Sequence, residues 1–302
     1  MGARQGQEEP TVMAKIGVLS TRTRVEEKQL MAALADAGVV ALPVPPAALP
    51  SPLGPSPVQP LTVSTVSGVA AEVMIDRLQD RALAAAALRL VEANGGLAVG
   101  AGIAATESRL TVATTLARAG ITRPAAHLVF DEGSALTAIE AAGYPCTFLP
   151  LELKLEGIVL ADRDTAEAVM EHRDVLGARH DALGIIQAGI AADTIQVIVV
   201  NGEVAGFEGN GALATSEAFG LAIATAAALH AQIIGLSIVR TASGLAVWDV
   251  DPAPDFRTAT ATGSTSVAEA MAAYIVGKFG IGSVTPLIIN AMEVQRDVVA
   301  IG

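Results

Sequence analysis

A chain of 302 residues that is 52% hydrophobic but only 3% aromatic can bury two or three subdomain cores, built mainly from Ala, Val, Ile and Leu. Its formal charge of −12 disfavours nucleic acid as a partner, because an acidic surface repels a phosphate backbone. The single cysteine, Cys146, excludes an internal disulfide and a cysteine-based zinc cluster, and its apolar neighbours mark it as a packed small hydrophobe in a protein of the reducing cytoplasm.

Residues 1–14 contain no apolar core of a signal peptide and read as a flexible tail, and later apolar stretches are broken by charge, Gly or Pro, so no membrane partner is expected. Lys15 to Ser20 predicts a short buried strand and Val25 to Ala37 a helix closed by Gly38. Glu26 and Glu27 lie in the first turn of that helix, where favourable interaction with its dipole suffices to explain them. Eight of the eighteen residues from Pro43 to Pro60 are proline, which predicts an extended surface loop. A strand is expected within Val69 to Arg77, with Asp76 and Arg77 as a surface ion pair at its end.

Asp80 to Ala93 is an Ala/Leu-rich helix stopped by Asn94-Gly95-Gly96, and Leu97 to Val99 reads as a strand. The following Gly100-Ala-Gly102 has the placement of a dinucleotide loop but lacks the acid expected about twenty residues onward. A helix from Glu107 to Ala119, a strand from Ala126 to Phe130 and a helix from Gly133 to Ala142 continue an α/β alternation. Strands near Cys146–Leu149, Gly157–Leu160 and Gly184–Gln187, around a helix at Asp164–Val175, then predict a small α+β unit.

From Thr194 the alternation Ile-Gln-Val-Ile-Val-Val, followed by Asn201-Gly202, is a hairpin signal and opens an antiparallel sheet. A long apolar helix is expected over Ser216–Ile234, a strand pair over Leu236–Val239 and Leu245–Val250, and a last helix over Ser266–Phe279. The four histidines, His127, His172, His180 and His230, have no short ligand spacing and read as structural or surface residues. Ala-rich helices and the segment from Val284 to Gly302 offer surfaces for a homodimer.

Five segments resemble, in order and spacing, the ATP-grasp superfamily, in particular glutamate ligases acting on ribosomal protein or coenzymes and the amino-group-carrier ligase of lysine biosynthesis. They are Lys15-IGVLSTRTRVEEKQLMAAL, Ile75-DRLQDRALAAAALRLVEANG, Ala105-TESRLTVATTLARAGI, Asp193-TIQVIVVNGEVAGF and Gly244-LAVWDVDPAPDF. The resemblance implies an N-terminal α/β domain with a linker helix over 15–125, a lid subdomain over 126–190, and a C-terminal antiparallel-sheet subdomain over 191–302. It further implies that ATP and Mg2+ are gripped between the last two while a carboxylate, glutamate by analogy, becomes an acyl phosphate that an amine attacks.

On that resemblance Arg109 and Lys154 contact phosphates, Gln187, Ala188, Gly189 and Ile190 face adenine, and Asp249 with Asp251 holds metal. Strand alternation puts the two aspartates on one face, as a hard cation requires, although two solvated turn residues would look the same. Several positions depart from the family pattern. Arg109 stands for a lysine, Leu149 for the lysine before Pro150, and bulky acidic Leu151–Gly157 for a glycine-rich loop. Ala188 replaces the hinge glutamate, while neutral Gln196 and Ser237 stand where an arginine and an aspartate are expected. Phosphoryl transfer needs cations at the developing charge, so two outcomes remain: an ATP- and Mg2+-dependent carboxylate–amine ligase, or a noncatalytic binding or assembly protein. A pterin- or furan-type one-carbon coenzyme is a further ligand implied by analogy alone.

Overall fold

The structure, a computed structural model, describes residues 16–49, 73–177 and 181–279. The expected N-terminal tail, most of the proline-rich loop, the start of the strand expected from Val69, His180 and the segment from Val284 lie outside the described residues.

Three sheets succeed one another along the chain. The first comprises β1 (Ile16–Leu19), β2 (Ala41–Val44), β3 (Val73–Asp76) and β4 (Leu97–Val99), all parallel in the order β2-β1-β3-β4, with helices α1 (Val25–Asp36) and α2 (Arg81–Ala93). Every residue of β1 and β3 is buried, as expected of parallel strands covered on both faces. Pro43 was expected in a loop but lies within β2. That strand forms the sheet edge, where a missing backbone N–H costs no ladder bond.

The helix expected over Glu107–Ala119 begins later, as α4 (Arg109–Arg118), because Ser108 is extended at φ −153° and caps it by accepting from Thr111 N; a separate short helix, α3 (Ile103–Thr106), precedes it. The second sheet is antiparallel, β5-β8-β6-β7, made of β5 (Ala126–Val129), β6 (Cys146–Pro150), β7 (Ile158–Leu160) and β8 (Gly184–Ala188). Helices α5 (Glu132–Ala142) and α6 (Arg163–Glu171) cover one face of it, and α6 is followed by a π-helical turn over His172–Leu176. Asp131 and Asp162 cap these helices. Backbone hydrogen bonds from Ser134 and Thr165 hold their carboxyls below the usual range.

The third sheet, β12-β11-β9-β10-β13, contains β9 (Thr194–Val200), β10 (Glu203–Gly209), β11 (Ile233–Thr241), β12 (Gly244–Asp251) and β13 (Thr260–Ala261). Asn201 and Gly202 take φ values of 50° and 80°, the left-handed pair of a type I′ turn. Helix α7 (Ser216–Ala228) stops earlier than its apolar sequence suggests: His230 at φ 53° breaks it, and the apolar residues from Ile233 feed β11 instead. Helix α8 (Val267–Phe279) packs against α1, so one core runs from Ile16, Leu30 and Ile75 to Ile198, Met271 and Ile275. The first and third sheets are thereby fused, whereas the second sheet has its own core around Phe148, Ile139 and Met170.

Within that smaller core β8 approaches β6 with no room to spare. A Cβ at Gly184 would meet Phe148 Cζ at 2.4 Å and the Leu149 carbonyl oxygen at 2.9 Å. Gly184→Ala is therefore expected to destabilise the second sheet by about 1–3 kcal/mol through overpacking, measured as a lower urea midpoint.

Candidate functional site

A cavity of about 480 Å³ opens between the second and third sheets. Its floor is a row of side chains on three neighbouring strands: Gln196 of β9 pairs in register with Ser237 of β11, and Ser237 pairs with Asp249 of β12. A bulge at Trp248 sets this register, since Ser237 faces Asp249 while the next residue, Ile238, faces Val247. Asp251 lies two residues further along the same face, opposite Gly235. A Cβ at Gly235 would stand 3.2 Å from the Asp251 Cβ and 2.9 Å from Pro254, so the glycine admits this close packing. Thr147 and Leu149 of β6, with the loop after it, form the roof.

Arg109, in the first turn of α4, ties roof to floor. Its Nε and Nη2 donate to Asp249 Oδ2 at 3.0 and 2.7 Å. Nη1 donates to the carbonyls of Pro150 and Glu152 at 2.7 and 2.6 Å, and Nη2 also to Leu155 O at 2.8 Å. All the donors of the guanidinium are thereby used, and the residue is only 3% exposed. Its backbone N–H adds a bond to Leu151 O at 2.7 Å.

Lys154 repeats the arrangement one pair along. Its Nζ donates to both carboxylate oxygens of Asp251 at 2.8 and 2.7 Å and to Ala253 O at 3.2 Å, exhausting its three donors. To reach them the backbone at Lys154 adopts φ 73°, a strained conformation for a residue with a Cβ.

The hinge residues divide. Ile190 lines the cavity, but Gln187 is fully buried behind it, donating through Nε2 to Trp248 O and accepting from Arg123 Nη2, both at 3.3 Å. Ala188 N–H donates to Ala125 O at 2.8 Å and Gly189 N–H to Pro145 O at 3.2 Å, while Gly189 O accepts from Thr147 Oγ1 at 2.8 Å. These backbone groups are spent on holding the second sheet together. Arg109, Lys154, Ile190, Asp249 and Asp251 thus meet at one cavity, and Gln187, Ala188 and Gly189 brace it from behind. Arg123 carried no sequence signal, being a lone loop residue, yet it supports Gln187. Burial lowers its pKa even though the Asp249 charge opposes the shift.

A second polar cluster corrects two sequence expectations. Glu27 does more than favour a dipole: it is fully buried and accepts from Arg24 and, at 3.1 Å, from Arg77 Nε. Asp76 and Arg77 form no surface pair. Asp76 pairs with Arg81 at 2.9 Å, Arg77 is 1% exposed beneath the Phe256 ring, and both lie where the carboxyl edge of the first sheet meets the segment after β12. Burial pushes the Glu26 carboxyl up, reinforced by the facing Asp255 carboxyl. An acid whose pKa is raised on folding disfavours the folded state once it ionises, so its penalty grows as pH rises above the ordinary glutamate range. Glu26→Gln is expected to leave stability near pH 4 little changed and to raise it at pH 7, in denaturation curves recorded at both values.

The residues present do not fit a magnesium site. Asp249 and Asp251, the two carboxylates on the floor, each already face an internal cation at 2.7 Å, and the third lining carboxylate, Glu156, is exposed on the loop after β6, where such an ion needs several converging oxygens. Among the described residues no group of three or more His, Cys, Asp or Glu side chains could hold a metal ion. Of the oxygens of these two aspartates, Asp249 Oδ1 is the one buried without a partner among the described residues. No helix of the described residues is long and apolar enough to cross a membrane.

A parallel α/β unit followed by two antiparallel sheets that close on a cleft is the ATP-grasp fold, and the chain has it. No protein-family model matches the chain. A RimK domain ATP-grasp protein from Sphaerobacter thermophilus superposes with a TM-score of 0.72 and 26% identity, over 87% of this chain and 99% of that one. The ATP-grasp ligase PsnB, solved with a minimal precursor, Mg and ADP, gives 0.63 at 15% identity over 88% and 99%. D-alanine–D-alanine ligase from Bacillus anthracis, solved with ATP, gives 0.62 at 11% identity over 89% and 98%.

Removing Arg109 would strand three loop carbonyls and the Asp249 carboxylate at once. Arg109→Met is expected to cost about 3–5 kcal/mol in urea unfolding, with Arg109→Lys recovering little because an ammonium cannot fork between roof and floor.

Proposed function

We propose that the chain is a small-molecule-binding protein that keeps the ATP-grasp fold but does not carry out magnesium-dependent phosphoryl transfer. One observation carries this reading: Arg109 and Lys154, the cations that the resemblance assigns to phosphate, spend all their side-chain donors on Asp249, Asp251 and neighbouring carbonyls. The same bonds engage both carboxylates assigned to metal. An ATP complex would have to break two ion pairs, one of them nearly buried, before gaining any contact with phosphate.

The charge of the cleft supports the same conclusion. Arg109 and Lys154 face Glu156, Asp249 and Asp251, two cations against three carboxylates, which leaves one net negative charge in the lining. Such a lining opposes a polyphosphate, and the neutral Gln196 and Ser237 add no compensating cation. The cavity volume of about 480 Å³ lies within the usual range for small-molecule sites of about 300–1,000 Å³. The 26% identity to the RimK domain ATP-grasp protein supports the fold on which this reading rests.

Calorimetric titration with ATP, with and without Mg2+, tests the proposal together with an assay for ADP release in the presence of amino-acid acceptors. No Mg2+-dependent ATP binding at millimolar concentration and no ADP are expected. Mg2+-dependent binding that disappears in the Asp249→Ala, Asp251→Ala double variant would restore the carboxylate–amine ligase instead.

A further inference from the structure

The roof of the cavity is not held equally along its length. Leu153 is fully buried in the core beneath the third sheet, and a Cβ at Gly157 would meet Leu149 Cδ2 at 2.7 Å and Thr147 Cγ2 at 2.8 Å, so the chain is packed closely at both points. Between them Lys154, Leu155 and Glu156 all line the cavity, and Leu155 and Glu156 are exposed. The ion pair that ties this short span to the floor is the Lys154 ammonium on Asp251.

The two ion pairs between roof and floor differ in kind. The Arg109 side chain is 3% exposed and forks between Asp249 and three loop carbonyls, whereas the Lys154 side chain is 21% exposed, within reach of solvent and salt. Closing the Lys154 pair also sets its backbone at φ 73°. The strain of a left-handed residue that carries a Cβ is of the same order as the return from a part-exposed ion pair, and opposed quantities of similar size leave two states close in free energy. We infer that Lys154–Glu156 is a flap over the cavity, latched shut by the Lys154–Asp251 pair and released when that pair is screened or broken, while Arg109 keeps the two sheets together. Release relaxes the backbone at Lys154 and turns Asp251 and Ala253 O toward the cavity. It gives up the bond from Arg109 Nη2 to Leu155 O, but Nη2 keeps Asp249 Oδ2. This inference rests on the reading of the cavity as the binding site, and it adds what controls entry to it.

Trp248 is the chain's single tryptophan, lines the cavity and is 7% exposed with the flap shut, so quenching of its fluorescence by acrylamide, an uncharged probe, reports the state of the flap. On the full chain the quenching constant should at least about double between low salt and about 1 M NaCl, where screening acts over about 3 Å. Lys154→Met and Asp251→Asn should each show the raised constant already at low salt and no further rise as salt is added. The wild-type salt titration needs no substitution, so it decides the question even where a variant folds poorly. A wild-type constant that ignores salt, variants that quench like the wild type, or a salt response that survives in both variants would each overturn the flap. Mg2+-dependent ATP turnover would overturn the metal-independent reading of the cavity and leave the quenching result standing.

Discussion

The arrangement of the cleft depends on one guanidinium. Arg109 stands at the start of α4, between the first sheet and the rest of the chain, and its bonds reach the loop after β6 and the middle of β12. A buried arginine costs several kcal/mol in desolvation, which only a full set of acceptors offsets, and here each N–H has one. The acceptors are the carbonyls of the loop that in the ATP-grasp resemblance should be glycine-rich and open to phosphate. Bulky, acidic Leu151–Gly157 therefore folds around a cation of its own chain, with Leu153 fully buried in the core beneath the third sheet.

Rigidity below this clamp comes from a different source. The core shared by the first and third sheets, running from Ile16 through α1 and α8 to Ile198, makes one body of those two sheets. The floor row of Gln196, Ser237 and Asp249 is carried on strands of that body. The second sheet has a separate core, and its attachment passes through Arg109, Lys154 and the Gln187 contact with Trp248. Motion between roof and floor must therefore break these polar links and also draw Leu153 out of the core beneath the third sheet. The strained φ at Lys154 shows that the second link is held against a local backbone preference.

Much of this was legible in the sequence, for identifiable reasons. The I′ turn at Asn201-Gly202 and the buried parallel strands were readable because local propensity and burial agree there. The position of β2 was not, since eight prolines in eighteen residues speak for loop, and only the edge location of Pro43 reconciles it with a strand. Helix α7 was read too long because its apolar residues and those opening β11 look alike without the break at His230. At the site, Arg109, Lys154, Asp249 and Asp251 were named as a set. Their pairing with one another was beyond sequence reasoning, because it depends on contacts across 140 and 97 positions. The burial of Glu27 and Arg77 escaped for the same reason, as each residue alone satisfies a simpler local explanation.

The Gln196–Ser237 pair shows how a neutral stretch of the floor satisfies its own polar groups. The resemblance implies an arginine at the first position and an aspartate at the second, and the register places the two side by side on β9 and β11. Neutralising either one alone would leave the other charge half-buried and uncompensated, an arrangement costing about 3–5 kcal/mol. Neutralising both leaves a hydroxyl donating to an amide oxygen at 2.6 Å, a satisfied pair with no net charge. The same logic applies one strand over: Asp249 and Asp251 keep their charges because Arg109 and Lys154 match them one for one. Along this floor the two neutral side chains thus satisfy each other, and the two carboxylates are each paired with a cation of the same chain.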